Sequence, residues 1–143
     1  MKKKFEFLEH TADIYVASYG RNLKEVFKNA ALALFEVMTE VKNVEPKIER
    51  EVYAEGHDLK SLLYDWLEAL IILFETESLL LSRFKIINLE EKDGVWRLKA
   101  KVVGEEFDSS KHLQKVGVKA ITYHRMEITE EDGLIVAKFI LDI

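Results

Sequence analysis

The chain alternates between two kinds of apolar periodicity. Phe5, Phe7 and Leu8, followed by Ile14, Val16 and Ser18, predict two short strands flanking His10-Thr11-Ala12-Asp13, the second ending at Gly20. From Leu23 the period changes. Val26, Phe27, Ala30, Leu34, Val37 and Met38 recur at helical spacing behind Asn22, a good N-cap with Glu25 three residues on. The stretch 43–46 predicts a helix-to-strand turn, because Pro46 disfavours helix at Glu45. Ile48, Val52 and Ala54 then alternate with Glu49, Glu51 and Glu55, as in a half-exposed strand.

Gly56-His57-Asp58 predicts a turn, with Asp58 capping a second helix. That helix carries Leu59, Leu62, Leu63, Trp66, Leu67, Leu70, Ile71 and Phe74, a face wide enough for burial under a sheet. Four further strands are predicted over 84–90, 95–103, 119–129 and 134–142, with hairpin turns at Asp93-Gly94 and Asp132-Gly133. The expected fold is therefore α+β, with two helices packed on a mixed, largely antiparallel sheet of about six strands. No repeat, low-complexity tract or Pro/Gly/Ser linker divides the chain, so residues 1–143 are expected to form one domain.

Composition narrows the function classes. Apolar residues make up 48% of the chain and aromatic ones 10%, which argues against disorder. Without cysteine there is no disulfide framework, thiolate zinc site or thiol nucleophile. The basic start runs directly into Phe5-Glu6-Phe7 without the apolar core of a signal peptide. The strongly apolar stretch 66–74 is too short to span a bilayer. A cytoplasmic protein with no membrane partner is expected. A net charge of −5 disfavours a stand-alone RNA binder but leaves room for a local basic patch.

The chain contains no P-loop, G-x-G-x-x-G, H-E-x-x-H or G-x-S-x-G. The four histidines, at 10, 57, 112 and 124, are too scattered to suggest a histidine metal site. Four segments carry candidate chemistry. Thr11 or Asp13 can simply bond local backbone in a turn, or Asp13 can offer a hard oxygen to a divalent cation. At Leu141-Asp142-Ile143, Asp142 and the terminal carboxylate would repel unless a cation compensates; the alternative is a solvated, frayed end. The polar run 104–112, with Lys111 and His112, is either a surface loop or a recognition loop. Lys119, opening a strand, is either solvated or faces the same site as Asp13 and Asp142.

Together these segments resemble the archease family. Phe7-Leu8-Glu9-His10-Thr11-Ala12-Asp13 is similar to its N-terminal signature, and Asp58-Leu59-Lys60-Ser61-Leu62-Leu63 to its second-helix entry. Gly104-Glu105-Glu106-Phe107, Ser110-Lys111-His112 and Val118-Lys119-Ala120-Ile121-Thr122-Tyr123 resemble its long central motif, and Asp142-Ile143 its ending. The resemblance implies a non-enzymatic activator of the RtcB-type RNA ligase of tRNA splicing. Such a protein promotes GTP-dependent guanylylation of the ligase and multiple turnover, and meets tRNA indirectly through the ligase. It implies a divalent cation (Ca²⁺, Mg²⁺ or Mn²⁺) held by Asp13, Asp142 and a main-chain oxygen of Ile143. Lys119, with Lys111 and His112, would contact the partner or its phosphates. The alternative expectation is a metal-independent, chaperone-like module for RNA-processing enzymes.

Overall fold

The computed structural model describes residues 3–10 and 13–143, without the side chains of 9 and 10. The predicted turn at Thr11 and Ala12 lies outside the described residues. Strands β1 (Phe5–His10) and β2 (Asp13–Gly20) lead into helix α1 (Leu23–Met38) and a 3₁₀ turn, Val41–Asn43. Strand β3 (Ile48–Gly56), helix α2 (Leu59–Glu77) and strands β4 (Leu79–Lys92), β5 (Val95–Glu106), β6 (Ala120–Glu131) and β7 (Leu134–Asp142) follow.

The expected α+β class, with two helices on antiparallel strands, is what the structure shows. Each strand picked out in the sequence is present, seven in all, but they split into two sheets, ordered β1-β2-β7-β6 and β3-β5-β4, where one was expected. Every pairing among the described residues is antiparallel. The largest change in length is in β4, which begins at Leu79 rather than residue 84. Leu79, Leu80 and Leu81 are all buried, so the run has no alternation to betray a strand.

Both helices contact strands of both sheets: α1 meets β2 and β4, and α2 meets β3 and β6. This explains why α1 buries residues around most of its circumference, including Asn29, whose side-chain amide donates to the Tyr19 carbonyl at 2.8 Å. The indole of the fully buried Trp66 donates to the Phe27 carbonyl at 3.0 Å, tying α2 to α1. The caps are as predicted. The Asn22 side chain accepts from Glu25 N–H, and Asp58 forms a reciprocal box with Ser61. Both Asp-Gly pairs turn their hairpins with positive φ at each residue: 54° and 77° at Asp93-Gly94, and 52° and 79° at Asp132-Gly133. Among the described residues no helix is long and apolar enough to cross a membrane.

Candidate functional site

Antiparallel register builds an acidic edge at one end of the first sheet. β2 and β7 pair so that Asp13 lies opposite Asp142, and β6 pairs with β7 so that Ala120 lies opposite Asp142 on the other side. Directly opposed residues share a face, with Cβ atoms about 4.5–5.5 Å apart. The neighbours Ile14, Leu141 and Ile121 join the hydrophobic core. Side chains alternate along a strand, so Asp13 and Asp142 point to the opposite face, away from the helices. Asp13 is exposed and Asp142 half-buried. Neither has a cationic side chain within ion-pairing distance among the described residues.

Two further residues from the expected set meet this edge through main chain. Lys119 N–H donates to the Asp142 carbonyl at 2.8 Å, which fixes the lysine's backbone beside the acidic pair while its side chain remains exposed. Ile143 is half-buried and packs on the core, anchoring the end of β7. Among the described residues no three His, Cys, Asp or Glu side chains form a cluster able to hold a metal. A hard cation here would therefore combine the two carboxylates with main-chain oxygen, a donor set suited to Ca²⁺, Mg²⁺ or Mn²⁺.

The structure also brings in a residue that sequence reasoning passed over. The register of β6 shifts between Thr122 and Glu127, and within the shift Arg125 adopts φ 58°. Its guanidinium lies 4.4 Å from the centre of the Tyr15 ring, and Tyr15 is two residues beyond Asp13 on the same strand face. Nothing in the local sequence His124-Arg125-Met126 signals a left-handed residue.

His112 is buried, whereas Lys111 lies at the surface with its ammonium paired to carboxylates. Phe107 N–H donates to the Ser78 carbonyl, and the chain then folds back so that His112 is only 3% exposed. Its Nδ1 accepts from Asp108 N–H at 2.9 Å, which leaves Nε2 to carry the proton and donate to Glu105 Oε2, also at 2.9 Å. Lys111 Nζ lies 2.8 Å from that same Glu105 oxygen and binds Glu45 as well. Glu45 N–H donates to Glu105 at 2.8 Å, and Lys47 Nζ lies 3.5 Å from it.

Burial pushes the Glu105 carboxyl upward. The Glu45 amide, Lys111 and His112 outweigh that and hold it down at about 2. Glu105 in turn raises Lys111, with Glu45 assisting. Both ring nitrogens of His112 are committed, so as placed it offers no nitrogen to a partner. Within the polar run 104–112, Gly104, Glu105, Lys111 and His112 tie the segment to Glu45 and Lys47 or to itself, while Glu106, Asp108, Ser109, Ser110 and Lys111 are exposed.

A separate aromatic feature links α2 to β6. The rings of Tyr64 and Tyr123 stack at 4.3 Å with planes 9° apart, and Tyr123 is 52% exposed. Burial raises the Tyr123 phenol, and Tyr64 with the nearby Asp58, Asp65 and Glu68 adds to the effect.

With this geometry in view, residues 5–143 match the model of the archease protein family (MTH1598/TM1083). The protein archease of Sulfurisphaera tokodaii is 48% identical over 141 residues, covering 99% of each chain. That of Pyrococcus furiosus is 46% identical over 142 residues, again covering 99% of each. The solution structure of Methanobacterium thermoautotrophicum protein 1598 superposes with a TM-score of 0.86 at 48% identity, over 98% of this chain and 99% of that one. A crystal structure of an archease from Thermotoga maritima, described as a possible chaperone, shares the fold with a TM-score of 0.59 at 16% identity and 96% coverage of both.

Proposed function

This chain belongs to the archease family, and on that premise we propose that it is a non-catalytic activator of an RtcB-type RNA ligase in tRNA splicing. It promotes guanylylation of the ligase and repeated turnover. The observation that carries the reading is the register opposition of Asp13 and Asp142, with Lys119 fixed beside them. Like charges directly opposed on a sheet are destabilising. Two carboxylates with no cationic partner among the described residues therefore suit a divalent cation, completed by a main-chain oxygen of Ile143. Such a cation supplies charge neutralisation at phosphate oxygens. Asp13 and Asp142 hold the donor geometry, because register fixes their separation. Lys119 presents an exposed ammonium, a point charge for a phosphate. The acidic edge suits docking at a basic, RNA-binding cleft.

The test is ligase turnover at substoichiometric ligase, comparing wild type with Asp13→Ala, Asp142→Ala and Lys119→Ala, each checked for folding by circular dichroism. Wild type should raise turnover, and the folded variants should not. Folded variants that activate as well as wild type would remove the acidic edge from the mechanism.

A second reading, a metal-independent chaperone-like module, is favoured by the exposed Tyr123 stacked on Tyr64. Its signature is activation that survives chelation and Asp13→Ala but is lost in Tyr123→Ala.

A further inference from the structure

A concavity away from the acidic edge has the opposite charge. A groove of about 580 Å³ runs between α1 and β4, lined by Lys4, Lys28, Arg83, Lys85 and Lys101 over a floor that includes Leu32 and Phe84. Two adjoining hollows share Lys4, Lys28 or Lys85 with it and add Lys3, Arg21 and Lys24. Eight cationic side chains thus line one continuous depression, against the carboxylates of Glu25 and Glu49. This is a strong local excess in a chain whose net charge is −5.

Two of the eight are paired, Lys3 with Glu6 and Lys101 with Glu49, as are Arg97, Lys99, Lys47, Lys111 and Lys115 outside the groove. Lys4, Arg21, Lys28, Arg83 and Lys85 make no ion pair among the described residues. They form two facing rows. Lys24 and Lys28 stand one helical turn apart on α1, and Arg83 and Lys85 share one side of β4.

The acidic edge does not cancel this field. The groove touches Tyr19 and Gly20, whereas Asp13 starts the same eight-residue strand. The two sites are therefore separated by about 23 Å along β2, well beyond the Debye length of about 8 Å at physiological ionic strength.

We infer that this groove binds single-stranded nucleic acid through its phosphates. Two rows of cations suit an extended polyanion better than an isolated phosphate, and the groove is bounded by a helix and a strand edge. Lysines outnumber arginines and act as point charges. Of the aromatic rings that line it, Phe84 is only 5% exposed and Tyr19 is half-buried with its hydroxyl donating to Glu6, so phosphate contacts outweigh base stacking. Binding is consequently sequence-tolerant and salt-sensitive. It is independent of the ligase reading, because it uses the opposite end of the molecule and needs no metal.

The experiment is fluorescence anisotropy of a labelled short oligouridylate, and of oligothymidylate of equal length, titrated with the full chain in chelator. Both should bind alike. The logarithm of affinity should fall with the logarithm of salt at a slope near −3, as about four to five phosphate contacts to a single strand require. The triple variant Lys28→Gln, Arg83→Gln, Lys85→Gln should weaken binding at least about tenfold at low salt. Lys60→Gln with Lys92→Gln, which remove exposed cations outside the groove, should leave it unchanged. Melting curves check that both variants fold. Absence of binding at low salt, equal loss in the control variant, or polyglutamate competing as well as RNA would each overturn the proposal.

Discussion

Asp13 and Asp142 are direct register partners across two central strands, with side chains on the face turned away from the helices. Neighbours on their strands, Ile14 and Leu141, are core residues, so neither strand can slip to separate the acids without exposing apolar surface. Their proximity is thus enforced by packing. In chelator, Asp142→Asn should raise stability by about 0.2–1 kcal/mol, since it removes a like-charge pair. With millimolar calcium, wild type should gain more than the variant. Paired thermal melts with and without the metal check both signs, and a variant that melts below wild type in chelator contradicts the repulsion argument.

The Glu105 clamp makes a pH-dependent prediction. Its folded-state pKa is about 2, below the ordinary 4.5. The charged form therefore stabilises the fold fully above about 4.5, and that contribution is lost as pH falls towards about 2. Glu105→Gln should cost about 1.5–3 kcal/mol at neutral pH, the range for hydrogen bonds involving charged groups. The gap to wild type should narrow steadily below pH 4.5. Urea midpoints measured across that window give the answer, and a gap independent of pH removes the carboxylate charge as the cause.

His112 is held as the Nε2–H tautomer by the Asp108 amide at its Nδ1. Long-range nitrogen–proton NMR spectra should show a protonated Nε2 and an acceptor-type Nδ1 at neutral pH. His112→Phe retains bulk but leaves the Asp108 amide and a Glu105 oxygen short of a partner. It should destabilise by about 1–3 kcal/mol.

Gly104 permits a close backbone approach. A Cβ built there would run into the Leu80 carbonyl, beside the register shift between Leu81 and Arg83. Gly104→Ala must displace main chain as well as side chains, and should cost at least about 1–3 kcal/mol. Gly94, with open space around it, is a poor comparator because its φ is +77°. Gly117, equally open and without positive φ, is the suitable control, and Gly117→Ala should change little.

Trp66→Phe removes the indole donor to the Phe27 carbonyl and part of a fully buried ring. A loss of about 1–3 kcal/mol is expected from the unmade hydrogen bond and the small cavity. Chemical denaturation of the folded variant measures it.

The sequence by itself determined what depends on local chemistry. Helical spacing after Asn22 and Asp58 specified both helices and their caps, because a side chain three residues from an unpaired amide can satisfy it without help from the rest of the fold. The Asp-Gly pairs specified both hairpins, because they tolerate the positive φ those turns need. Asp13, Asp142 and Lys119 stood out in the sequence as candidates, yet only the strand order β2-β7-β6 brings them to one edge. The division into two sheets was invisible, since strand patterning reports which face is buried and not which neighbour covers it. Leu79 to Leu81 were missed for the same reason, being covered on both sides. The burial of His112 against Glu105 and the pairing of Lys111 with the same carboxylate were decided by tertiary structure as well. A buried carboxylate needs donors from distant segments, here Glu45 and Lys47, and a polar run in sequence looks the same whether it faces solvent or clamps the chain to itself.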